Sequence, residues 1–417
     1  MTSVKKLLAT AVVAFSVLGC TGHRPSVRGP EVPVDYYAGT LRMYPFEEVV
    51  REHPPKGYEP FMISHYGRHG ARFHGDDTQG EKVYAALCEG PLTPLGEQLR
   101  DYIALYYERF VGHKADLTEK GRLQHRELAH RMWDAWPSIF RQHPEITAVS
   151  TTAPRCILSM GAFCDGLRDR KPNLWIKQSS SASYDAFLQP QKLIPGFIEK
   201  EKEAWQVARE FCAENVHPEA FMGRIFRDIG YQVPSYPSNV SFMRNVHYIL
   251  CQAPAMDIDL PEAPEVFTPE ERFSLWEGDN LKYYLNYGYC RDSVGVQAAG
   301  AMMAHILEQC SEDIASGKPA VRLRFGHDAN LMSLLAYMGV PEFSGATSDL
   351  HRVKEVWQEW RIPFAANLQL VFLRNRNKSD ILVLPLLNEE PLQLPFEPAY
   401  GHFYDWTLFK KYYTRRL

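Results

Sequence analysis

A chain of 417 residues can form one large domain or two ordinary ones. With 45% hydrophobic and 23% charged residues it has the make-up of a folded protein with a sizeable core. A net charge of −4 and a pI near 6.4 exclude a generally basic nucleic-acid binder, so any anion-binding surface must be local, built from a few placed cations.

The chain opens on a targeting pattern. Lys5 and Lys6 precede an apolar run from Leu7 to Leu18, followed by Gly19 and Cys20. The run is too short to span a bilayer and has the length of a signal-peptide core. Val17-Leu18-Gly19-Cys20 resembles a bacterial lipobox, which predicts lipidation of Cys20 as the first mature residue. An ordinary secretory signal with a chance cysteine is the alternative. Residues 1–20 are therefore read as a lipoprotein signal, and 21–45, rich in Pro, Gly and Arg, as a tether. The expected location is outside the cytoplasm, periplasmic or outer-membrane associated, with a lipid anchor in a bacterial membrane. No later segment reaches the ~18 uninterrupted apolar residues of a membrane helix. Seven cysteines follow Cys20, an odd number with no C-x-x-C pair, so neither a zinc pattern nor a disulfide pairing can be read from them.

Three later segments share one order: a short apolar strand, a polar turn, then a helix. The first is Pro60–Ser64, the stretch SHYGRHGARFHG at 64–75, and a helical pattern from near Gly80. The second is Ile146–Ser150, then TTAPR, then a helix through Ile157, Met160 and Phe163. The third is Val321–Phe325, then GHDAN, then a helix carrying Leu331, Leu334, Leu335 and Met338, stopped by Gly339. This alternation predicts an α/β fold with a central, mostly parallel sheet flanked by helices, and ligands bind such sheets beyond the carboxyl ends of the strands. Asn367–Arg374 and Ile381–Pro385 predict a C-terminal β-hairpin. Residues 165–290 lack the strand–helix rhythm and are expected to form a largely helical insertion capping the site, with 46–164 and 291–417 as the core.

The three polar turns carry the chemistry. His65, His69 and His74 have a spacing that could serve a metal, but Arg68 and Arg72 stand among them and would repel a divalent cation. The same residues suit an anion. Arg68, Arg72 and Arg155 can present forked N–H donors to phosphate oxygens. His69 can attack phosphorus, His327 can add a donor, and Asp328 can deliver a proton to the departing alcohol. Each has a plain alternative, a loop or helix cap for Arg155 and Asp328 among them. Three such coincidences at three strand ends are less economical than one shared site.

On these residues the chain resembles the histidine acid phosphatases, which include phytases and multiple inositol polyphosphate phosphatases. Arg68-His69-Gly70-Ala71-Arg72 matches the family's R-H-G-x-R, and His327-Asp328 its distal H-D. Leu117-Thr118 with Gly121 and Gln124, Ser150-Thr151 with Arg155, Ser159 and Phe163, and Asn388-Glu389-Glu390-Pro391 match three further stretches in the right order. The resemblance implies a phosphohistidine on His69, a phosphoryl pocket of Arg68, Arg72, Arg155 and His327, and Asp328 as general acid, with no cofactor or metal. Two departures stand out: His74 occupies a position where the family often has proline, and Ala329 follows His327-Asp328 where inositol polyphosphate phosphatases commonly read H-A-E. The run after Arg72 resembles fungal phytases in which a lysine near Lys82 faces substrate, although a plain surface lysine is the alternative. Lys82 and His74 are thus candidate substrate contacts. The expected activity is phosphomonoester hydrolysis on inositol polyphosphates, phytate included. The alternatives are a phosphatase for sugar phosphates such as glucose 1-phosphate, or a non-catalytic lipoprotein that binds phosphorylated ligands.

Overall fold

The computed structural model describes residues 32–417 apart from 77, 229, 258, 291–292 and 377–378. The expected signal segment, Cys20 and the tether up to residue 31 lie outside the described residues.

Eight strands form one sheet: β1 (Tyr58–Arg68), β2 (Glu145–Ser150), β3 (Lys177–Ser180), β4 (Ala320–Gly326), β5 (Asn367–Asn375), β6 (Ile381–Leu387), β7 (Glu390–Pro391) and β8 (Tyr404–Asp405). Their order is β3-β2-β4-β1-β5-β6-β7, with β8 also on β6. The pairs β3/β2, β2/β4 and β4/β1 are parallel, whereas β5 to β8 add antiparallel pairing on the other side. The expected sheet and hairpin are both present. Alternate residues of the central strands enter different cores, Met62 and Phe372 on one face and Ile63 and Val371 on the other. Both faces are covered by helices, so β1 and β4 bury residues on each side, apolar for the most part but with Arg322 and Arg324 of β4 also enclosed. The hairpin closure into β7 uses Asn388 and Glu389 at φ 50° and 71°, the left-handed pair of a tight turn.

The chain departs from expectation in three places. β3 falls inside the range assigned to the insertion, yet it pairs in register with β2, and the helix Pro154–Arg170 runs across residue 165. The sheet's share of the chain therefore extends to Ser180. Conversely, helices Gln79–Glu89 and Pro94–Phe110, assigned to the core, share a hydrophobic cluster with Phe221, Phe242 and Leu275 of the insertion. Finally, part of the expected tether is folded: Val34–Leu41 is a 3₁₀ segment with Tyr37 and Leu41 buried, and Tyr44 is buried after it. The aromatic side chains of Tyr36, Tyr37 and Tyr44 supply apolar surface that a solvated linker would lack.

Among the described residues no helix is long and apolar enough to cross a membrane. Among the described residues Cys88, Cys156, Cys164, Cys212, Cys251 and Cys310 are free thiols.

Candidate active site

Strand β1 runs four residues past the expected Pro60–Ser64 segment and delivers Arg68 to the carboxyl edge of the sheet, where only 1% of the residue is exposed. A buried guanidinium needs partners. Arg68 Nη1 donates to the carbonyls of Thr40 (2.6 Å) and Ile362 (2.8 Å), and Nη2 pairs with Asp328 Oδ2 at 3.0 Å. The guanidinium also lies over the Phe364 ring, 4.6 Å from its centroid.

The next residues leave the strand in a loop held almost wholly through its backbone. His69 N–H donates to Gly326 O (3.0 Å) and Ala365 N–H to His69 O (3.0 Å), which pins the loop between β4 and the start of β5. Gly70 N–H donates to Ser159 Oγ (3.0 Å), Ala71 N–H to Gln124 Oε1 (2.8 Å), and Thr118 Oγ1–H to Ala71 O (2.9 Å). These contacts give the motif residues Thr118, Gln124 and Ser159 their purpose: they hold the loop in shape. Gly70 and Gly121 meet backbone to backbone, so that a Cβ on Gly70 would fall 2.7 Å from Gly121 Cα and one on Gly121 2.8 Å from Ala71 N. Gly121→Ala is therefore expected to destabilise the protein by about 1–3 kcal/mol through overpacking. Chemical denaturation checks this, and an unchanged midpoint would mean the two loops part without cost.

Within the loop, His69 is 2% exposed and its Nδ1 lies 2.9 Å from Gly70 O. A carbonyl can only accept, so Nδ1 carries the proton and Nε2 keeps its lone pair. Burial first, then the charges of Arg68, Arg155 and Arg72, hold the imidazole well below its usual pKa. It is neutral, and so nucleophilic, into the acid range.

The distal motif converges on the same place. His327 sits at the N-terminus of helix Asp328–Met338, its ring centroid 5.7 Å from that of His69. The Tyr66 hydroxyl fixes the His327 backbone, accepting from His327 N–H (3.0 Å) and donating to its carbonyl (3.2 Å). Arg155 Nη2 is 3.4 Å from His327 Nδ1, and Thr151 Oγ1 is 3.4 Å from Nε2. Burial, and next Arg155, push the His327 pKa far down. For Asp328 burial alone would raise the pKa, but Arg68 and then His327 outweigh it and keep the carboxyl ionised below its usual range. The Nε donors of both Arg68 and Arg155 are buried without a protein partner, an arrangement suited to an oxyanion.

The candidates thus separate. Arg68, His69, Arg155, His327 and Asp328 come together. Arg72 starts from the same loop, its Nη1 donating to Phe73 O (2.7 Å), and its charge acts on His69, Asp328 and Tyr248. His74 is drawn into packing instead. Its Nδ1 accepts from Asp76 N–H (2.7 Å) and its ring meets Tyr248 edge to face, so the ring braces the loop where proline might have stiffened it. Burial, aided by Arg72, lowers its pKa to about 4. His65 lies apart, between Phe163 and Phe325. The three histidines that could have shared a metal therefore occupy three separate environments. Lys82 is exposed on the first turns of helix Gln79–Glu89, its charge felt by Asp76. Sequence reasoning missed Tyr66, Thr40 and Lys192. Tyr66 was the most accessible of these, since it shares a strand face with Arg68 two residues on.

Residues 67–387 match the model of the histidine phosphatase superfamily (branch 2). Multiple inositol polyphosphate phosphatase 1 of Homo sapiens is 26% identical over 338 residues, 75% of this chain and 68% of that protein. Its Gallus gallus counterpart is 23% identical over 365 residues, 81% of this chain and 78% of that one. Among solved structures, the Bifidobacterium longum multiple inositol polyphosphate phosphatase in complex with inositol hexasulfate superposes with a TM-score of 0.73 at 14% identity, covering 91% of this chain and 97% of that one. The phytase from D. castellii gives 0.69 at 14% identity, over 92% and 85%. At that identity the superpositions speak for the fold.

Proposed function

This chain belongs to the histidine phosphatase superfamily (branch 2), and we propose that it hydrolyses phosphomonoesters of inositol polyphosphates, phytate included, through a phosphohistidine on His69. The observation that carries the mechanism is the His69 ring: buried, proton committed to Gly70 O, Nε2 free beside a cluster of cations.

The substrate's phosphoryl oxygens take the donors of Arg68, Arg72, Arg155 and His327, which stabilise the charge spread over those oxygens in the transition state. His69 Nε2 forms the bond to phosphorus as the ester P–O bond breaks, and Asp328 passes its proton to the leaving oxygen. Water then attacks phosphorus, the N–P bond breaks, and the Asp328 carboxylate takes the proton from water. Asp328 is ionised beside Arg68 before substrate arrives. A bound phosphoryl group adds negative charge and draws on Arg68, which raises the Asp328 pKa, and a substrate monoanion brings the proton in acid solution.

Substrate choice rests on cations beyond the central pocket. Only one phosphate of an inositol polyphosphate can occupy it, and the others need partners on the walls. Lys82 is one exposed cation, and Lys192 on the turn Pro190–Leu193 is another, its charge felt by His327. That turn is tied to the distal motif through Asn330 Nδ2, which donates to Gln191 Oε1 at 2.6 Å. The helical insertion is accordingly read as a cap that brings charge to the cleft. In a phosphate-release panel, phytate should be preferred over glucose 1-phosphate mainly through KM. The preference should shrink as salt shortens the ~8–10 Å screening length. Lys82→Ala should weaken phytate turnover and leave an aryl phosphate nearly untouched. Glucose 1-phosphate as the better substrate at every salt concentration would leave the sugar-phosphatase reading standing.

Export and anchoring through lipidated Cys20, in the periplasm or at the outer membrane, belong to the same proposal and are supported by the Val17–Cys20 pattern.

A further inference from the structure

Glu359 is wholly buried, and its carboxyl oxygens have no well-formed hydrogen bond, the Trp276 indole N–H being the one donor that bears on them. Its surroundings are unusual for such a group. The carboxyl packs against Gly39, where a Cβ would stand 2.7 Å from Oε2, and Gly39 takes φ +55°. Gly39 precedes Thr40, whose carbonyl holds Arg68 Nη1. On the other side, the Glu359 carbonyl accepts from Ile362 N–H (2.9 Å), and Ile362 supplies the second carbonyl on the same Nη1. Glu359 is thus built into both segments that fix Arg68. Its own N–H is held by Asn280 Oδ1 at 3.0 Å.

We propose that Glu359 is a positioning residue for Arg68 whose proton is linked to oxyanion binding. Protonated, it leaves the guanidinium charge to the oxyanion; ionised, it competes for that charge. The proposal rests on Arg68 serving the phosphoryl pocket as above.

The physical argument is one of charge without solvent. A buried carboxylate with so few hydrogen bonds is costly, so the neutral acid is favoured. Burial, with the carboxylate of Asp279 adding to it, pushes the Glu359 pKa up to about 8, against the pull of Lys282, Arg68 and the Trp276 indole N–H. The remaining titratable neighbours are Tyr37, Tyr283 and Cys251, from the N-terminal segment and two insertion helices. The carboxylate acts on Tyr283 and Cys251, the Tyr37 hydroxyl is buried without a partner, and the Trp276 indole N–H faces the carboxyl. A dianion bound by Arg68 removes part of the charge that favours the Glu359 carboxylate and raises this pKa further. By reciprocity, binding then takes up a proton and weakens as pH rises through about 8.

Inorganic sulfate is the probe, because it stays a dianion across the range. Its Kd is measured by titration calorimetry from pH 6.5 to 9.5, in pairs of buffers with different ionisation enthalpies that report proton uptake. In the unmodified protein Kd should rise about tenfold more across this range than in Glu359→Gln, the equivalent of one linked pKa unit. Proton uptake centred above pH 8 should be present in the former and lost in the latter. If Glu359→Gln fails to fold, Glu359→Met, also neutral at every pH, serves the same comparison. Binding with parallel pH profiles in the two proteins overturns the role of Glu359 alone. Absence of sulfate binding at every pH overturns the phosphoryl pocket, and this proposal with it.

Discussion

Replacing His69 with alanine abolishes turnover, by on the order of 10⁴-fold or more, the scale expected when a covalent nucleophile is lost. The loop around it should survive, because its shape is set by backbone bonds to Gly326, Ala365, Ser159 and Gln124 that the substitution leaves in place. Removing the buried ring costs some packing against Phe364, so a modest fall in stability is expected as well. The diagnostic measurement is chemical. Unmodified enzyme quenched during turnover of phosphorus-labelled substrate should carry acid-labile label on histidine, and His69→Ala should carry none. Retention of a substantial fraction of activity by a folded His69→Ala protein would falsify the nucleophile assignment.

That a candidate nucleophile stands out in the chain at all reflects how this cluster is composed. Arg68, Arg72, Arg155, His327 and Asp328 are ionisable residues placed just beyond apolar strands, a juxtaposition a core does not produce by chance. Their partners were less visible. Arg68 is fixed by the carbonyls of Thr40 and Ile362, and His69 by the carbonyl of Gly70, and a carbonyl leaves no mark in the residue type. Glu359 looks like any other glutamate in the sequence, and its burial emerges only once residues 34–44 fold over it.

The fold follows the same logic. β1, β2 and β4 were legible because both faces of the sheet are covered and their apolar runs stand out. β3 is Lys-Gln-Ser-Ser at the sheet edge with mostly exposed residues, so its strand is specified by pairing with β2 and not by hydrophobicity. The 3₁₀ stretch Val34–Leu41, broken at Gly39, has no helical period to find, and it falls within residues 21–45, whose Pro, Gly and Arg content pointed to a linker. The helices at 79–110 obey the helical period faithfully, but periodicity says nothing about which core an apolar face will join.

Asp328→Asn separates proton delivery from phosphate binding, and the structure sets the sign of its pH dependence. His69 is held well below its usual pKa, chiefly by burial, so it remains an unprotonated nucleophile as pH falls. Asp328 must be protonated to serve a leaving alkoxide, yet Arg68 and His327 keep it ionised in the free enzyme. The reactive combination, neutral His69 with protonated Asp328, is therefore favoured in acid and lost as pH rises through the Asp328 pKa of the substrate complex. Asparagine can keep a polar contact with Arg68 but cannot transfer a proton. The single-turnover rate of alcohol release should fall by ~10²–10⁴-fold for an inositol phosphate, the usual worth of a general acid. For nitrophenyl phosphate, whose leaving group departs without a proton, the same rate should fall far less and lose its dependence on Asp328 ionisation. Steady-state turnover is the wrong quantity to compare, because both substrates share the second step, in which the carboxylate takes a proton from water. The variant should instead release a burst of nitrophenolate and then stall as phosphohistidine. Equal losses of first-step rate on the two substrates would count against Asp328 as the proton donor and reduce its role to holding Arg68 in place.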